Sequence, residues 1–439
     1  MNKIYVAYSW IGPTGPLSNN QVPTILTLAD NYNETNIISD KNDREDTWER
    51  IFSQGPDLYS LKPSATLEQN DIFVFPFKLN VRTPLSSYFS YNNGLLEYSF
   101  TGGDVNAKVR EFNGYFVFDF RDEASVSEQF FSAIHSYFKM HGMLAYKVIF
   151  LTGAINVVEL YEKFCSKHNF TPGEQSRIKF IPCPDYEPFN KQICHKTIHT
   201  FTEPEYNIEV VPSKFFLCWN RRFRKHRITL CLAMEKSKLI EKSYLSLARK
   251  DAAFDKDITE FIHDIPPEMN IDENTKNELI KRLPLILDEE SNVSEMCTDS
   301  LYKTRPFYSD SLVSIVTETN FDLPILTSTE KTFKPMREKH PFILVASSGA
   351  LKALKSIGFK TFDKFWDESY DDITNHNQRM HKIIEILNYI ASWDRDKILD
   401  FKKQAKEIVE HNYNQLKISP VRRILNEIYG HIVSTTQIK

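Results

Sequence analysis

The 439-residue chain contains no run of eighteen or more apolar residues, so no segment of it reads as a membrane-spanning helix. It also lacks an excess of basic charge: 54 Lys and Arg stand against 58 Asp and Glu, for a formal net charge of -4. Non-specific wrapping of nucleic acid ordinarily calls for a global basic surplus, which leaves only a local basic patch as a route to such binding. The N-terminal MNKIYVAYSW has no basic segment followed by a long apolar stretch, which predicts no signal peptide and a cytoplasmic location. Cysteine is sparse. Cys165, Cys183, Cys194, Cys218, Cys231 and Cys297 are scattered in mostly apolar contexts, a pattern of buried thiols in a reducing compartment rather than a disulfide framework. Cys194, His195 and His199 lie close together, but no second Cys pair stands nearby to complete a zinc site, and no metal is expected. No G-x-G-x-x-G follows the first strand candidate, which argues against a dinucleotide oxidoreductase.

Apolar residues at 41% and aromatics at 13% are ample for packed interiors, and 439 residues exceed one ordinary core. Short β-rich apolar runs alternate with helical patterns, the mark of parallel-sheet α/β architecture. Strands are predicted at Lys3 to Trp10, Asp71 to Phe77, Gly114 to Phe120, Tyr146 to Gly153 and Arg177 to Cys183. Between them, Val126, Phe130, Ile134 and Phe138 share one helical face, as do Val157, Leu160, Tyr161 and Phe164. A second α/β pattern has strands at Phe215 to Asn220, Ser311 to Thr319 and Pro341 to Ser348. Two late helices carry Met380, Ile383, Ile384, Leu387 and Ile390, then Ile398, Phe401, Ala405 and Ile408. The expected organisation is a Rossmann-like domain over 1–205, a second over 206–415 and a helical tail over 416–439, with a ligand cleft facing the carboxyl ends of the strands.

Three segments carry chemistry. KFFLCWNRRFRKHR, Lys214 to Arg227, holds six Lys or Arg and no acid, with its apolar half a buried strand and its basic half at the strand's carboxyl end. A helix N-terminus flanked by Arg side chains is a ready phosphate site, and cations in a first turn oppose the helix dipole, so stability alone does not place them there. A solvated basic face and a nucleic-acid backbone contact are the alternatives. In SIVTETNFDLPILTSTEKTFKP, Ser314 to Pro335, a strand delivers Glu318 and Thr319 to its carboxyl end. Thr329, Glu330 and Lys331 then read as a helix start with Thr as the cap. Two carboxylates and a Lys converging there suit ribose hydroxyls and phosphates, while Glu330 also suits a helix dipole. In the third, His340 to Phe362, a buried strand ends in a small-residue turn before a short helix stopped by Gly358. The nearby Asp367, Glu368, Asp371 and Asp372 read as solvated loop acids or, less readily, as a cation site.

The series TET, TEKTFKP and PFILVASSGALKALKSIGFKTFDKFWDESYD resembles the C-terminal part of glycosyltransferase-like proteins of phages and other large viruses. More distantly, Glu318, then Thr329-Glu330-Lys331, then the strand led by Pro341 are similar to the donor-binding motif of α1,3-fucosyltransferases, over about Lys214 to Asp371. The resemblance implies a GT-B fold of two Rossmann-like domains with a nucleotide-diphosphate sugar held mainly by the C-terminal one. It implies that Glu318, Glu330 and Lys331 face the nucleotide, with a basic residue within Arg221 to Arg227 on the diphosphate. Glu318-Thr319 stands where those enzymes carry Glu-Asn, so GDP-fucose is not carried over as the donor.

Sugar transfer needs charge stabilisation on the departing diphosphate and, for inversion, a base on the acceptor hydroxyl. Asn220, Arg221, Arg222, Arg224, Arg227, Glu318, Thr319, Glu330 and Lys331 are the donor-side candidates. Asp119, Asp122 and Glu123, at or beyond the carboxyl end of the strand from Gly114, are the candidates for the base, Asp122 and Glu123 reading equally as the start of the next helix. The loop Ile11 to Asn20 is a candidate lining for the acceptor, expected to be a glycan, a protein or a modified base in phage-type DNA. The competing reading is a non-catalytic binding or structural protein on a decayed transferase fold.

Overall fold

A computed structural model describes residues 4–8, 24–28, 59–62, 72–78, 90–92, 95–97, 115–120, 126–140, 144–168, 177–184, 186, 193, 202–220, 224–251, 256–287, 301–418 and 421–436. The loop Ile11 to Asn20 and Cys194, His195 and His199 lie outside the described residues. The chain forms two compact units, Met1–Pro184 with Pro420–Lys439, and Asp185–Ser419.

The first unit is built on a seven-stranded sheet of β1 (Ile4–Tyr8), β2 (Thr24–Leu28), β3 (Tyr59–Lys62), β4 (Ile72–Lys78), β7 (Tyr115–Phe120), β8 (Val148–Thr152) and β9 (Lys179–Pro182), in the order β3-β2-β1-β4-β7-β8-β9. β1, β4, β7, β8 and β9 run parallel, and β2 and β3 extend the sheet antiparallel at one edge. β5 (Ser90–Asn92) and β6 (Leu95–Glu97) form a separate hairpin. Helices α1 (Glu128–Met140) and α2 (Val157–Lys167) sit between strands where the sequence places them. Val126, Phe130 and Ile134 are buried as the four-residue spacing predicts, and Phe131 packs its ring 5.2–5.4 Å from those of Tyr161, Phe164 and Phe180.

The last helix, α10 (Val421–Thr436), belongs to this unit and is not a separate tail. Its buried Ile424, Ile428 and Ile432 give it an apolar face, Arg423 donates to the Pro182 carbonyl at 2.7 Å, and a ring nitrogen of His431 lies 2.7 Å from the Tyr146 carbonyl. The other boundary also falls earlier than expected, at Pro184 rather than near 205. Residues 202–212 pack with the second unit: Lys339 donates to Glu203 at 2.6 Å, Lys402 to the Val210 carbonyl at 2.6 Å, and Tyr206 lies against the core.

The second unit holds a four-stranded sheet, β10 (Lys214–Asn220), β11 (Ser243–Leu247), β14 (Ser311–Thr317) and β15 (Phe342–Val345), ordered β11-β10-β14-β15 with every pairing parallel. All seven residues of β14 are buried, as the apolar run SLVSIVT requires of a central strand covered on both faces. Helix α3 (Lys225–Lys236) carries the chain from β10 to β11. The hairpin β12 (Lys250–Asp251) and β13 (Lys256–Asp257), then α4 (Glu273–Arg282) and α5 (Leu301–Ser309), return it past β10 to β14. Helices α6 (Glu330–Arg337), α7 (Ala350–Ser356), α8 (His376–Ala391) and α9 (Arg395–Leu416) follow. Met380, Ile383, Leu387 and Ile390 of α8 and Ile398, Phe401, Ala405 and Ile408 of α9 are buried, matching their helical periodicity.

Because β11 lies on one side of β10 and β14 on the other, connections leave the β10–β14 pair in opposite directions. That is a topological switch point, and in open parallel sheets ligands bind outside the carboxyl ends of the strands there. Each unit is thus an α/β, Rossmann-like body, with a mostly parallel sheet in the first and a wholly parallel one in the second. Ile343, fully buried in β15, reports on the core of the second. Ile343→Ala is expected to destabilise this unit by about 2–5 kcal/mol and Ile343→Val by about 1 kcal/mol. Thermal unfolding followed by tryptophan fluorescence checks both, since Trp366 and Trp393 are buried in this unit.

Candidate functional site

Asn220 closes β10, and its backbone N–H donates to Ser246 Oγ on β11 at 3.0 Å. Its Oδ1 accepts from Thr317 Oγ1 at the end of β14, 2.6 Å away, and its Nδ2 lies 3.2 Å from Cys218 Sγ and 3.7 Å from Cys231 Sγ. The side chain is fully buried and turned toward α3, which carries Cys231. Asn220, expected on the ligand, therefore ties three strand ends together from inside the sheet.

The basic segment splits by burial as α3 begins. Arg224, the N-cap in extended conformation, is exposed with Lys225, while His226 and Arg227 are buried. The N-cap side chain makes no capping hydrogen bond and no acid stands in the first turn. Arg227 Nη2 donates to the carbonyls of Thr317 at 3.0 Å and Glu318 at 3.3 Å, so its charge faces the end of β14. His226 places Nε2 3.0 Å from the Glu318 carbonyl and stacks on Phe321 with ring centroids 5.3 Å apart. Burial, followed by the Arg227 charge, holds its pKa down to about 3, so the imidazole is neutral and donates through Nε2–H. Arg221 and Arg222 lie outside the described residues.

Glu318 is entirely buried. Its Oε1 accepts from the Thr329 N–H at 2.9 Å and Thr332 Oγ1 at 2.5 Å; its Oε2 accepts from Thr329 Oγ1 at 2.8 Å and the Thr319 N–H at 3.3 Å. Thr329 is the N-cap of α6, as the sequence predicts, with Oγ1 accepting from the Lys331 N–H at 3.3 Å. In a capping box an acid at the third helical position reaches back to the N-cap N–H. Here that position is Thr332, and the acid arrives from the preceding strand. The expectation that Glu318 faces a nucleotide meets a carboxylate already turned inward.

Thr319, Glu330 and Lys331 are partly exposed at this edge. Lys331 Nζ donates to Glu330 Oε1 at 2.7 Å and lies 3.3 Å from Thr329 Oγ1. Burial raises the Glu330 pKa, but the Lys331 and Lys334 charges outweigh it and leave the carboxyl below its ordinary value.

Two residues outside the donor and base candidates organise the next strand end, one of them Asp371, which the sequence suggests is a solvated loop acid and which is buried. Asp371 accepts from the Leu351 N–H and the Lys352 N–H, both at 3.0 Å, seating a carboxylate on the first turn of α7. Arg379 on α8, buried, donates to the carbonyls of Ala346 at 3.1 Å, Ile373 at 2.5 Å and Phe321, with its guanidinium 4.3 Å from the Phe321 ring centroid. Glu368 accepts from Thr361 Oγ1 at 2.6 Å and the Phe362 N–H at 2.8 Å, and Asp367 from the Ser369 N–H at 2.9 Å, so these loop acids serve turns and caps. Among the described residues no group of three or more His, Cys, Asp or Glu is arranged to hold a metal ion, and no helix is long and apolar enough to cross a membrane.

In the first unit, Asp119 is the penultimate residue of β7, in register with Lys78 and Leu151. Asp122 and Glu123 lie outside the described residues, and α1 starts at Glu128, five positions beyond Glu123.

No protein-family model and no curated protein matches the chain. Among solved structures it is similar to the N-terminal domain of Candida albicans trehalose-6-phosphate phosphatase, at 10% identity and a TM-score of 0.44, covering 90% of this chain and 77% of that one. A UDP-forming trehalose-phosphate synthase of Burkholderia xenovorans aligns at 10% identity and a TM-score of 0.43, over 82% and 74% of the two chains. A glycosyltransferase of Rickettsia africae aligns at 11% identity and a TM-score of 0.35, over 88% of each. Likenesses this distant carry no functional argument, which rests on the sheet edge itself.

The buried histidines give the second unit a pH signature. Burial holds His226 at about 3 and, in the same unit, His340 at about 4, both below the ordinary 6.5. The unfolded chain takes up protons near pH 6.5 that the folded chain refuses, so stability is full above that pH and is lost as pH falls toward 4. The thermal midpoint of the wild type is expected to drop between pH 6.5 and 4.5, and that of His226→Gln to drop less steeply; calorimetry across the range measures both slopes.

Proposed function

We propose that the chain is a nucleotide-sugar-dependent glycosyltransferase whose donor lies at the carboxyl edge of the second sheet, its diphosphate on the first turn of α3. One comparison carries the reading. Three helices follow sheet strands at this edge: α3 after β10, α6 after β14 and α7 after β15. Glu318 accepts from the N–H and hydroxyl of Thr329, the N-cap of α6, and from Thr332 Oγ1 in its first turn, and Asp371 from first-turn N–H groups of α7, whereas α3 has no acid in its first turn, no side-chain cap, and the exposed cations Arg224 and Lys225. A helix start with no side-chain cap and no acid in its first turn, beside guanidinium groups and at a switch point, is suited to a diphosphate.

In this reading Arg224 and Lys331 neutralise charge that develops on the leaving diphosphate, with Arg221 and Arg222 as further candidates. Arg227 acts from below, its charge near Glu318 and Glu330 and its hydrogen bonds on the strand end. Glu330 accepts from ribose hydroxyls and Thr319 lines the same edge. Cationic side chains fill the role that a metal takes in other transferases, so the reaction requires no metal ion. The base on the acceptor hydroxyl is assigned to Asp119, Asp122 or Glu123 of the first unit. Two Rossmann-like units in one chain are the composition of a GT-B enzyme, which supports the assignment.

Thermal-shift titration with ADP, GDP, UDP and their sugar conjugates tests the proposal. At one hundred times its dissociation constant a ligand adds about 2.7 kcal/mol to stability. One nucleoside diphosphate is expected to stabilise the wild type, and Arg224→Ala or the Glu330→Ala, Lys331→Ala pair to weaken it by about tenfold or more, the scale of a lost charge-assisted contact. Absence of any stabilising nucleotide puts a binding or structural role in place of the transferase.

A further inference from the structure

We infer that Glu318 is a positioning residue of the donor site: it fixes the first turn of α6 at the sheet edge, so that Glu330 and Lys331 are presented to the nucleotide, and it does not itself contact the donor. The inference rests on the transferase reading and assigns a different task to the residue that the fucosyltransferase resemblance puts on the nucleotide.

The argument is an inventory of lone pairs. An ionised carboxylate offers about four acceptor positions on its two oxygens. Glu318 has four donors within 3.3 Å, two on each oxygen: the Thr329 N–H and Thr332 Oγ1 on one, Thr329 Oγ1 and the Thr319 N–H on the other. None of its surface is exposed, and Thr332 behind it is equally buried. A ribose hydroxyl would have to displace one of these donors and open a path to a fully covered group. Glu330 differs on both counts: it is the first residue of α6, partly exposed, and linked to Lys331 across 2.7 Å. The backbone of Glu318 is held as firmly as its side chain, its N–H donating to the Val345 carbonyl at 3.0 Å and its carbonyl facing Arg227 and His226. The residue therefore transmits the position of the strand end to the start of α6.

Calorimetric titration separates positioning from contact by varying the ligand as well as the protein. Wild type, Glu318→Ala, Glu318→Gln, Thr332→Val and Glu330→Gln are titrated with whichever of ADP, GDP and UDP binds, and with its 2′,3′-dideoxy form. If Glu318 positions, Glu318→Ala and Thr332→Val weaken both ligands about three- to tenfold, the size of a lost helix cap written as an affinity ratio, and the ribo-to-dideoxy ratio stays at its wild-type value. Glu318→Gln retains most of the affinity, because its amide oxygen still accepts from the Thr329 N–H and Thr332 Oγ1, whereas Glu330→Gln narrows the ratio. A ratio that collapses toward one in the Glu318 variants, with the wild type still binding, overturns this inference and leaves the transferase reading intact. Undiminished affinity in both Glu318→Ala and Thr332→Val overturns it as well. Failure of every nucleotide to bind the wild type removes the transferase reading, and this inference with it.

Discussion

A carboxylate buried at the end of a central strand is tolerable only when the chain supplies both hydrogen bonds and opposite charge, since an uncompensated buried ion costs several kcal/mol. Glu318 receives four hydrogen bonds from one short stretch of chain, Thr319 to Thr332, and Arg227 lies close enough to compensate its charge. The same requirement fixes geometry. Satisfying Glu318 dictates where α6 starts, which residue caps it, and how the connection after β14 must return. Arg227 is committed in turn, because its guanidinium must lie over the carbonyls of Thr317 and Glu318, which sets the rotation of α3. The two helix starts on either side of the switch point are positioned by the hydrogen bonds of one buried carboxylate and of the buried guanidinium near it.

This gives the three strand-to-helix junctions of the second sheet unequal roles. A helix start attracts anions through its unpaired N–H groups and its dipole, and the chain can answer that field with its own carboxylate or leave it for a ligand. At α6 and α7 the answer is internal, from Glu318 and Asp371. At α3 the first turn instead carries Arg224 and Lys225 outward, an arrangement that opposes the dipole and is unfavourable for the isolated helix. A local electrostatic conflict at the carboxyl edge of a parallel sheet is where function is expected to override stability.

Much of the architecture was legible in the residues, and the unread parts share a cause. β14 and β15 stand out because buried parallel strands are apolar on both faces, while β2 (TILTL) and β11 (SYLSL) are short, carry two polar residues in five and went unpredicted. Thr329 was readable as a cap because capping is local. The direction of Glu318 was not, since its partners lie 11 and 14 positions away and a strand-end acid can turn either way. Asn220 presents the same ambiguity: at a strand's carboxyl end it resembles a ligand group, yet its amide is used on Thr317 and two cysteine sulfurs. Arg379 left no signal at all. It sits within the α8 pattern, and its role depends on four carbonyls, of Ala346, Ile373, Thr374 and Phe321, brought together by tertiary structure. The return of α10 to the first unit was hidden for the same reason.

Arg379 and His226 together decide what kind of site the edge can be. The connection from Glu318 to Thr329 contains no helix or strand, and such a connection is ordinarily free to rearrange. Here Phe321 is held between the His226 imidazole and the Arg379 guanidinium, its carbonyl is a hydrogen-bond acceptor for Arg379, and both ends of the connection meet at the Glu318 carboxylate. Neutral His226 is part of this arrangement: a protonated imidazole would place a third buried cation beside Arg227 and Arg379. The backbone of the edge is thereby ordered before any ligand arrives, so binding need not supply its ordering entropy. What varies is confined to side chains that project from the ordered frame, Thr319, Leu323, Glu330 and Lys331 from this connection and helix start, and Arg224 from the neighbouring one. In the proposed reading, specificity for the donor is a matter of those few groups, and the buried set that carries them is free to be what the fold requires.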